Sequence, residues 1–578
     1  MAARLPHPLG LRAGRDRALL YNVLAILLVL GFFVFVALAS RPDLAPLEAI
    51  RAHPISLDPA RLPEYAARTA FRMLVALLLS LLFTFTYATL AAKSRKAEQV
   101  LIPLLDILQS VPILGFISAT IVFFMALAPG QVLGAELAAI FAIFTSQAWN
   151  MAFSFYQSLR SVPTDLGEVA TSLRFPAWMR FWRLEVPLAM PGLVWNMMMS
   201  MAGGWFFVVA SEAISVGGTE IALPGIGSYI ALAIDRKDLG AVGYAVAAMA
   251  VVILLTDQLL FRPLVAWSHR FRIDQEDYAP PPRSWLYRIL CRSPLAGLAA
   301  LPLRAGLDWS IRAFRLPAGS AAARRPAPAP SRRRDLAWTA LVLLVCAYIA
   351  WQTAAYILAG IGWRDVLDTL WLGLITALRV FLLIALASLV WLPLGVLVGL
   401  RPGTLRWVQP LTQFLAAFPA NLLFPFFVSL IVTYHLNANV WLSPLMILGT
   451  QWYILFNVIA GAATIPRDQL DVARSFGVRG RLWWRRVALP AVFPYYVTGA
   501  ITAAGGSWNA SIVAEYASWG DRTLVAEGLG AYIAEATAKG DYHAIVLGIA
   551  VMSLLVILTN RIVWRPLYDF AERRYRID

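Results

Sequence analysis

Runs of about 20 apolar residues, each bounded by arginine, proline or glycine, recur along the chain at the length a helix needs to cross a bilayer core. Six fall in the first half, near Leu19–Ala39, Thr69–Ala92, Leu101–Ala128, Ala138–Leu159, Pro187–Ala210 and Ala241–Leu264. Six more fall near Trp338–Leu358, Thr369–Leu400, Val408–Tyr434, Val440–Ala460, Pro490–Ala514 and Ala544–Trp564. The pattern predicts an all-α polytopic membrane protein with about 12 transmembrane helices. The first run is too long, and its flank too rich in arginine, for a cleaved signal, so it is expected to stay as a helix.

The polar positions between the runs give orientation. Arg4, Arg12, Arg15 and Arg17 precede the first run, Lys93, Arg95 and Lys96 follow the second, and Arg160, Arg174, Arg180 and Arg183 follow the fourth. These loops are expected on the cytoplasmic side, whereas residues 129–137 carry only Glu136 as a charge. Both termini are then inside, and the protein belongs in a bacterial plasma (inner) membrane. The net charge of +16 becomes an orientation signal rather than a sign of nucleic-acid binding. From Arg262 to Arg334 the chain is most basic and includes PAGSAAARRPAPAPSRRR, a linker composition. Ahead of it, SWLYRILCRSPLAGLAALPLRAGLDWSIRAFRL mixes apolar and arginine positions as an interfacial helix does. A solvated tether near anionic headgroups is preferred here over a partner-binding role.

Two stretches repeat. A lag of 303 aligns Glu168 with Asp471, Arg183 with Arg486, Pro187 with Pro490, Trp205 with Trp508, Glu212 with Glu515, and Gly225-x-Gly227-x-Tyr229 with Gly528-x-Gly530-x-Tyr532. Upstream a lag of 307 aligns Thr69-Ala70-x-Arg72 with Thr376-Ala377-x-Arg379, and Pro103 and Pro112 with Pro410 and Pro419. Apolar similarity alone does not align Trp, Glu, Arg and Gly at one spacing, so the chain is a duplication. An even number of spans per copy makes the copies parallel repeats. The units are expected at 1–275 and 336–578, with the linker at 276–335.

Between the fourth and fifth spans the copies read EVATSLRFPAWMRFWRLEVP and DVARSFGVRGRLWWRRVALP. Both resemble the EAA loop of ABC-transporter permeases: an acidic residue, two small or apolar ones, three residues, Gly, nine residues, and an apolar run ending in Pro. The loops span 164–187 and 467–490. The T-A-x-R segments and the Trp and Glu near the fifth spans are similar to the nitrate/sulfonate/taurine branch, in which one permease per gene pairs with itself; here two are fused. The resemblance implies a type I importer fold and two copies of a separate cytoplasmic ABC ATPase, which alone uses ATP and Mg. It also implies a solute-binding protein outside the membrane and a small anionic or sulfonate-like substrate. Glu168, Val169, Ala170 and Arg174, with Asp471, Val472, Ala473 and Gly477, are the implied coupling residues. Arg174 stands where the family has Gly; arginine enters left-handed geometry only at a cost of about 1–2 kcal/mol, so the first loop is expected to bend differently.

The chain has no Gly-Lys dipeptide and hence no P-loop, which agrees with a partner supplying ATP hydrolysis. Cys291 and Cys346, and five scattered histidines, form no catalytic or metal spacing, so no cofactor on this chain and no enzymatic activity are expected. Ionisable groups within spans are candidates for the substrate pathway. Glu212 and Glu515 either frame the outer mouth or hydrogen-bond the Gly-rich segment that follows, the second being preferred. Arg72 and Arg379 suit an anion, although snorkelling to headgroups is preferred. Asp106, whose repeat partner is Gln413, is a one-sided polar candidate, and Trp205 and Trp508 complete the set. Trp149 and Trp452, with Gln147 and Gln451, are expected to pack rather than bind. The rival to an importer is an ion-coupled secondary transporter, which needs more buried ionisable residues than these runs carry; a scaffold or sensor gives no reason for two such loops.

Overall fold

The computed structural model describes residues 55–216, 219–271, 284–293, 301–313 and 332–575, with scattered helical positions between 21 and 35. The first expected span therefore lies mostly outside the described residues.

Asp58 caps a short turn at Pro59–Arg61, its carboxylate accepting from Ala60 N at 2.9 Å, and α1 follows at Leu62–Lys93. The third apolar run is two helices, α2 (Arg95–Ser110) and α3 (Ile113–Leu127). Pro112 forces the break: its ring excludes the helical region for Val111, which is extended at φ −76°, ψ 127°. α4 (Val132–Arg160) leads into α5 (Thr164–Ser172) and α6 (Val186–Glu212). A two-stranded hairpin follows, β1 (Ala213–Val216) antiparallel to β2 (Thr219–Ala222), with Ala213 opposite Ala222. Then come α7 (Ile226–Asp235), α8 (Leu239–Thr256) and, from the linker, α9 (Leu301–Ala313).

The second half repeats this order. α10 (Arg332–Gly360) and α11 (Trp363–Gly399) precede α12 (Pro402–Ala417) and α13 (Phe424–Thr433), which bend by 82° about Phe418-Pro419, the counterpart of Val111-Pro112. α14 (Gln451–Ala463), α15 (Arg467–Ser475), α16 (Leu489–Ala514), the hairpin β3 (Tyr516–Trp519) with β4 (Arg522–Val525), α17 (Leu529–Lys539) and α18 (Tyr542–Thr559) complete it. Among the described residues eight helices are long and apolar enough to cross a membrane, and up to ten if each bent pair is one span. α2 and α3, of 16 and 15 residues, are separately too short to be counted, so the single span expected at Leu101–Ala128 is divided between two helices.

Local irregularities repeat as well. π-turns occur at Phe181–Glu185 and Trp484–Ala488, and again at Asp257–Phe261 and Asn560–Trp564. Each pair keeps the 303-residue lag, so the copies share an inserted residue in the same helical turn.

The chain divides into two compact units. One comprises Met1–Arg41, Phe153–Met198 and Leu254–Thr339, and contains the first EAA-like loop and the linker helices. Within it α9 is no free tether: Ile311 is buried, and the helix lies against Trp178 and Arg183. The other comprises Pro42–Ala152, Met199–Ile253 and Ala340–Asp578. Its core joins Val380 and Ile384 of α11, Ile454 and Val458 of α14, and Ala500, Ala503 and Ala504 of α16, where small side chains let helices approach closely. Leu78 and Leu82 on α1, and Leu378, Leu382 and Leu389 on α11, remain exposed as apolar surface for lipid.

Candidate functional site

The two EAA-like loops fold alike. Pro163 and Pro466, extended at ψ 136° in both cases, end the preceding segment and start α5 and α15. Each helix closes through a left-handed residue. In the second loop this is Gly477, at φ 64°, with Val478 N bonded to Ala473 O at 2.9 Å. In the first it is Arg174, at φ 53°, with Phe175 N bonded to Ala170 O at 2.9 Å. The expectation of a different bend is thus overturned: the closing hydrogen bonds hold the arginine in the conformation that its side chain disfavours. Ala170 and Ala473 face inward and are buried, while Glu168, Asp471 and Arg174 are exposed. Asp471 pairs with Arg474 at 2.9 Å. The outward face of each helix carries an apolar pair one turn apart, Val169 with Leu173 and Val472 with Phe476; Phe476 is 81% exposed.

At the opposite ends of α6 and α16 the sequence candidates converge on buried ion clusters. Glu212 Oε1 accepts from Thr69 Oγ1 and from Arg72 Nη1, both at 2.7 Å, and its Oε2 accepts from Gly227 N at 2.7 Å. Thr69 Oγ1 in turn accepts from Ile226 N at 3.0 Å, so one carboxylate and one hydroxyl cap the start of α7. The second half repeats the set. Glu515 Oε1 accepts from Thr376 Oγ1 at 2.9 Å and Arg379 Nη1 at 3.0 Å, Oε2 accepts from Gly530 N at 2.8 Å, and Leu529 N donates to Thr376 Oγ1 at 2.9 Å. The glycines are required by this approach: a Cβ on Gly225 would lie 2.3 Å from the Glu212 carboxylate, and one on Gly528 would lie 2.4 Å from that of Glu515. Arg72, only 2% exposed, does not snorkel; burial among carboxylates replaces the headgroup contact expected for it.

A profile of the binding-protein-dependent transport system inner membrane component matches residues 84–262 and 391–577, one stretch in each repeat and together more than half of the chain. The chain belongs to that family. The permease is 33% identical over 112 residues to the nitrate import permease protein of Leptolyngbya laminosa, covering 19% of this chain and 38% of that protein. It is 28% identical over 182 residues to the bicarbonate transport system permease protein of Synechococcus elongatus, covering 32% and 59%. It is 27% identical over 169 residues to the glycine betaine/carnitine transport permease protein of Listeria monocytogenes, covering 29% and 54%. The permease thus spans roughly two-fifths to three-fifths of the length of these relatives.

The permease's two clusters differ in one partner. Glu136, inside α4 rather than in the loop expected at 129–137, takes the other edge of Arg72 through Nε and Nη2, both at 2.6 Å. At the same place the second half has Asn439, whose Oδ1 accepts from Arg379 Nη2 at 3.3 Å and from Glu527 N at 2.6 Å. One guanidinium therefore faces two carboxylates in the first half, and a carboxylate plus an amide in the second. Sequence reasoning missed both partners, although Glu136 is a lone acid beside an apolar run.

Trp205 and Trp508 are buried. Trp149 packs on Phe83 and Phe144, and Trp452 on Trp391, whose indole N–H donates to Gln451 Oε1 at 2.9 Å. Gln147 contacts the Met73 sulfur, so these residues pack as expected. Asp106 lies in α2, but its side chain is outside the described residues. Two polar contacts that were not foreseen link the halves at the helix breaks: Ile113 N donates to Asn509 Oδ1 at 2.8 Å, and Asn421 Nδ2 donates to Phe206 O at 3.2 Å. Among the described residues no group of His, Cys, Asp and Glu is placed to hold a metal.

Proposed function

We propose that this permease carries both membrane halves of an ATP-driven ABC importer in one chain, with each EAA-like loop seated in a separate cytoplasmic ATPase. The matching loops carry the proposal. Each presents a rigid short helix with an exposed apolar pair, Val169 with Leu173 or Val472 with Phe476, on a charged background. Such a knob fits a groove on a partner, and a packed helix transmits the partner's closure to the span that follows it as a lever. ATP and Mg belong to the ATPases. The positive-inside reading of the arginine-rich loops supports both termini and the linker lying on the ATPase side of an inner membrane. A solute-binding protein on the other side delivers the substrate, a small anion of the nitrate or bicarbonate kind or a sulfonate, by analogy with the relatives named for such anions.

The test is made on the second loop. Replacing Ala473 and Gly477 by bulky residues removes the inward-facing small side chain and the left-handed turn. The expected result is loss of ATPase co-purification and of substrate-stimulated ATP hydrolysis, and the same at Ala170 tests the first loop. Unchanged binding and hydrolysis would show that these loops are not the coupling elements.

A further inference from the structure

The two loops, alike in backbone, differ in what stands behind them. In the first, Trp178 Nε1 donates to Ser310 Oγ at 3.2 Å, and Arg183 Nη2 pairs with Asp308 Oδ1 at 3.0 Å. Ile311, on the same face of α9, is 7% exposed. Asp308 and Ile311 are three residues apart, so they lie one turn apart on one side of the helix, while Trp309 points away and is 68% exposed. Trp178 also stacks on Phe181 and meets Trp182 edge-on, which ties α9 to the π-turn that leads into α6. In the second loop the repeat counterparts of Trp178 and Arg183 are Arg481 and Arg486. Arg486 is exposed and among the described residues forms no ion pair.

The difference falls on the loop that needs help. The second loop turns at a glycine, for which left-handed geometry carries no steric penalty, whereas the first turns at Arg174. We propose that the linker helix α9 is a brace that holds the first coupling loop in the shape its own sequence disfavours, so that the linker is a working part of one coupling site and not a tether between two permeases. Asp308 and Ser310 are positioning residues in this sense: they bond to the loop, and in the function proposed above the loop is what meets the ATPase. The ATPase part of the inference rests on the function proposed above; the brace does not.

The experiment uses the full chain in lipid nanodiscs. Asp308→Arg puts like charges face to face across the contact. Hydrogen exchange within 164–187 should then rise on the order of fivefold, the effect of losing one partly exposed charge pair and its packing, while exchange within 467–490 stays unchanged. The double variant Arg183→Asp/Asp308→Arg reverses the pair and should restore the slow exchange, which separates a broken contact from a misfolded chain. Unchanged exchange in the first loop, or no recovery in the double variant, overturns the brace. In the second arm the chain is purified with its co-expressed ATPase, and the bound stoichiometry is read by native mass spectrometry. The wild-type complex should hold two ATPases and Asp308→Arg one; two retained by a variant whose loop has loosened overturns the seating role. A wild-type chain that holds no ATPase would instead sink the coupling function, with the exchange result still deciding the brace.

Discussion

Arg72 and Arg379 occupy the same place in the repeat and have different company. Removing a carboxylate has different results in the two clusters. Glu212→Gln leaves Arg72 with the two-pronged pair to Glu136, so the site keeps one charge of each sign. Glu515→Gln leaves Arg379 with Asn439 only, a largely buried cation without a counter-ion. Breaking a buried pair in this way costs about 3–5 kcal/mol, and the first-half variant should lose less than half as much. Thermal unfolding in detergent checks the order: equal losses in the two variants would mean that Glu136 does not compensate for Glu212. These arginines show where residue-level reading stops. Their presence in the spans and their pairing by the lag were plain in the sequence, but their partners were not, because those lie 60 to 140 residues away on other helices, where only packing brings them together. Arg174 is a similar case: its penalty was readable, whereas the hydrogen bonds that overcome it depend on how the helix ends.

At the scale of elements, spans and loops were legible because apolar runs and arginines report the membrane directly. The hairpins were not. Strands of four residues next to glycine give too short a pattern to distinguish from a turn, and only their pairing, Tyr516 opposite Val525, defines them. The helix breaks were hidden too, since apolarity continues through Val111-Pro112 and Phe418-Pro419 while the helix stops there. The second hairpin makes a specific contact with the other half: Gly520 N donates to Ile234 O at 3.1 Å, and Lys237 Nζ pairs with Asp521 Oδ2 at 2.9 Å. Lys237 holds the Asp521 carboxyl below the usual carboxylate range. A depressed carboxyl stabilises the docked state above its unfolded pKa, near 4, and loses that contribution as pH falls through the lower folded value. Hydrogen exchange in 516–525 should therefore rise as the pH is taken from about 5 to 3, beyond the intrinsic pH effect seen in an unstructured control peptide. Asp521→Asn should exchange faster at neutral pH and lose this extra dependence; a variant that keeps it would show that another group titrates.

On the scale of the molecule, the duplication is the main fact, and it was legible from aligned Trp, Glu, Arg and Gly. The π-turns that recur at the same lag add a structural signature that no composition shows. The halves meet through Ile113 with Asn509, Asn421 with Phe206, and Lys237 with Asp521. With those contacts available, continuity of the chain through the Pro/Ala/Arg segment is not needed for association. Cutting between Ser320 and Ala321, beyond the end of α9, and co-expressing the two pieces should give a complex that co-purifies and keeps its transport rate within about twofold, the scale of a small change in effective concentration. A cut ahead of Leu301 detaches the brace from the first half and should behave worse. If both cuts are equally silent, the linker has no duty in either half.

The pairing of Glu136 with Asn439 has a consequence for inheritance. When a permease associates with an identical copy, every substitution is expressed on both sides of the symmetry axis, and a second carboxylate beside one arginine arrives together with a second beside the other. A fused gene removes that constraint. Each side drifts under its own selection, and a lesion at Glu136 can be suppressed by a change that its counterpart never experiences.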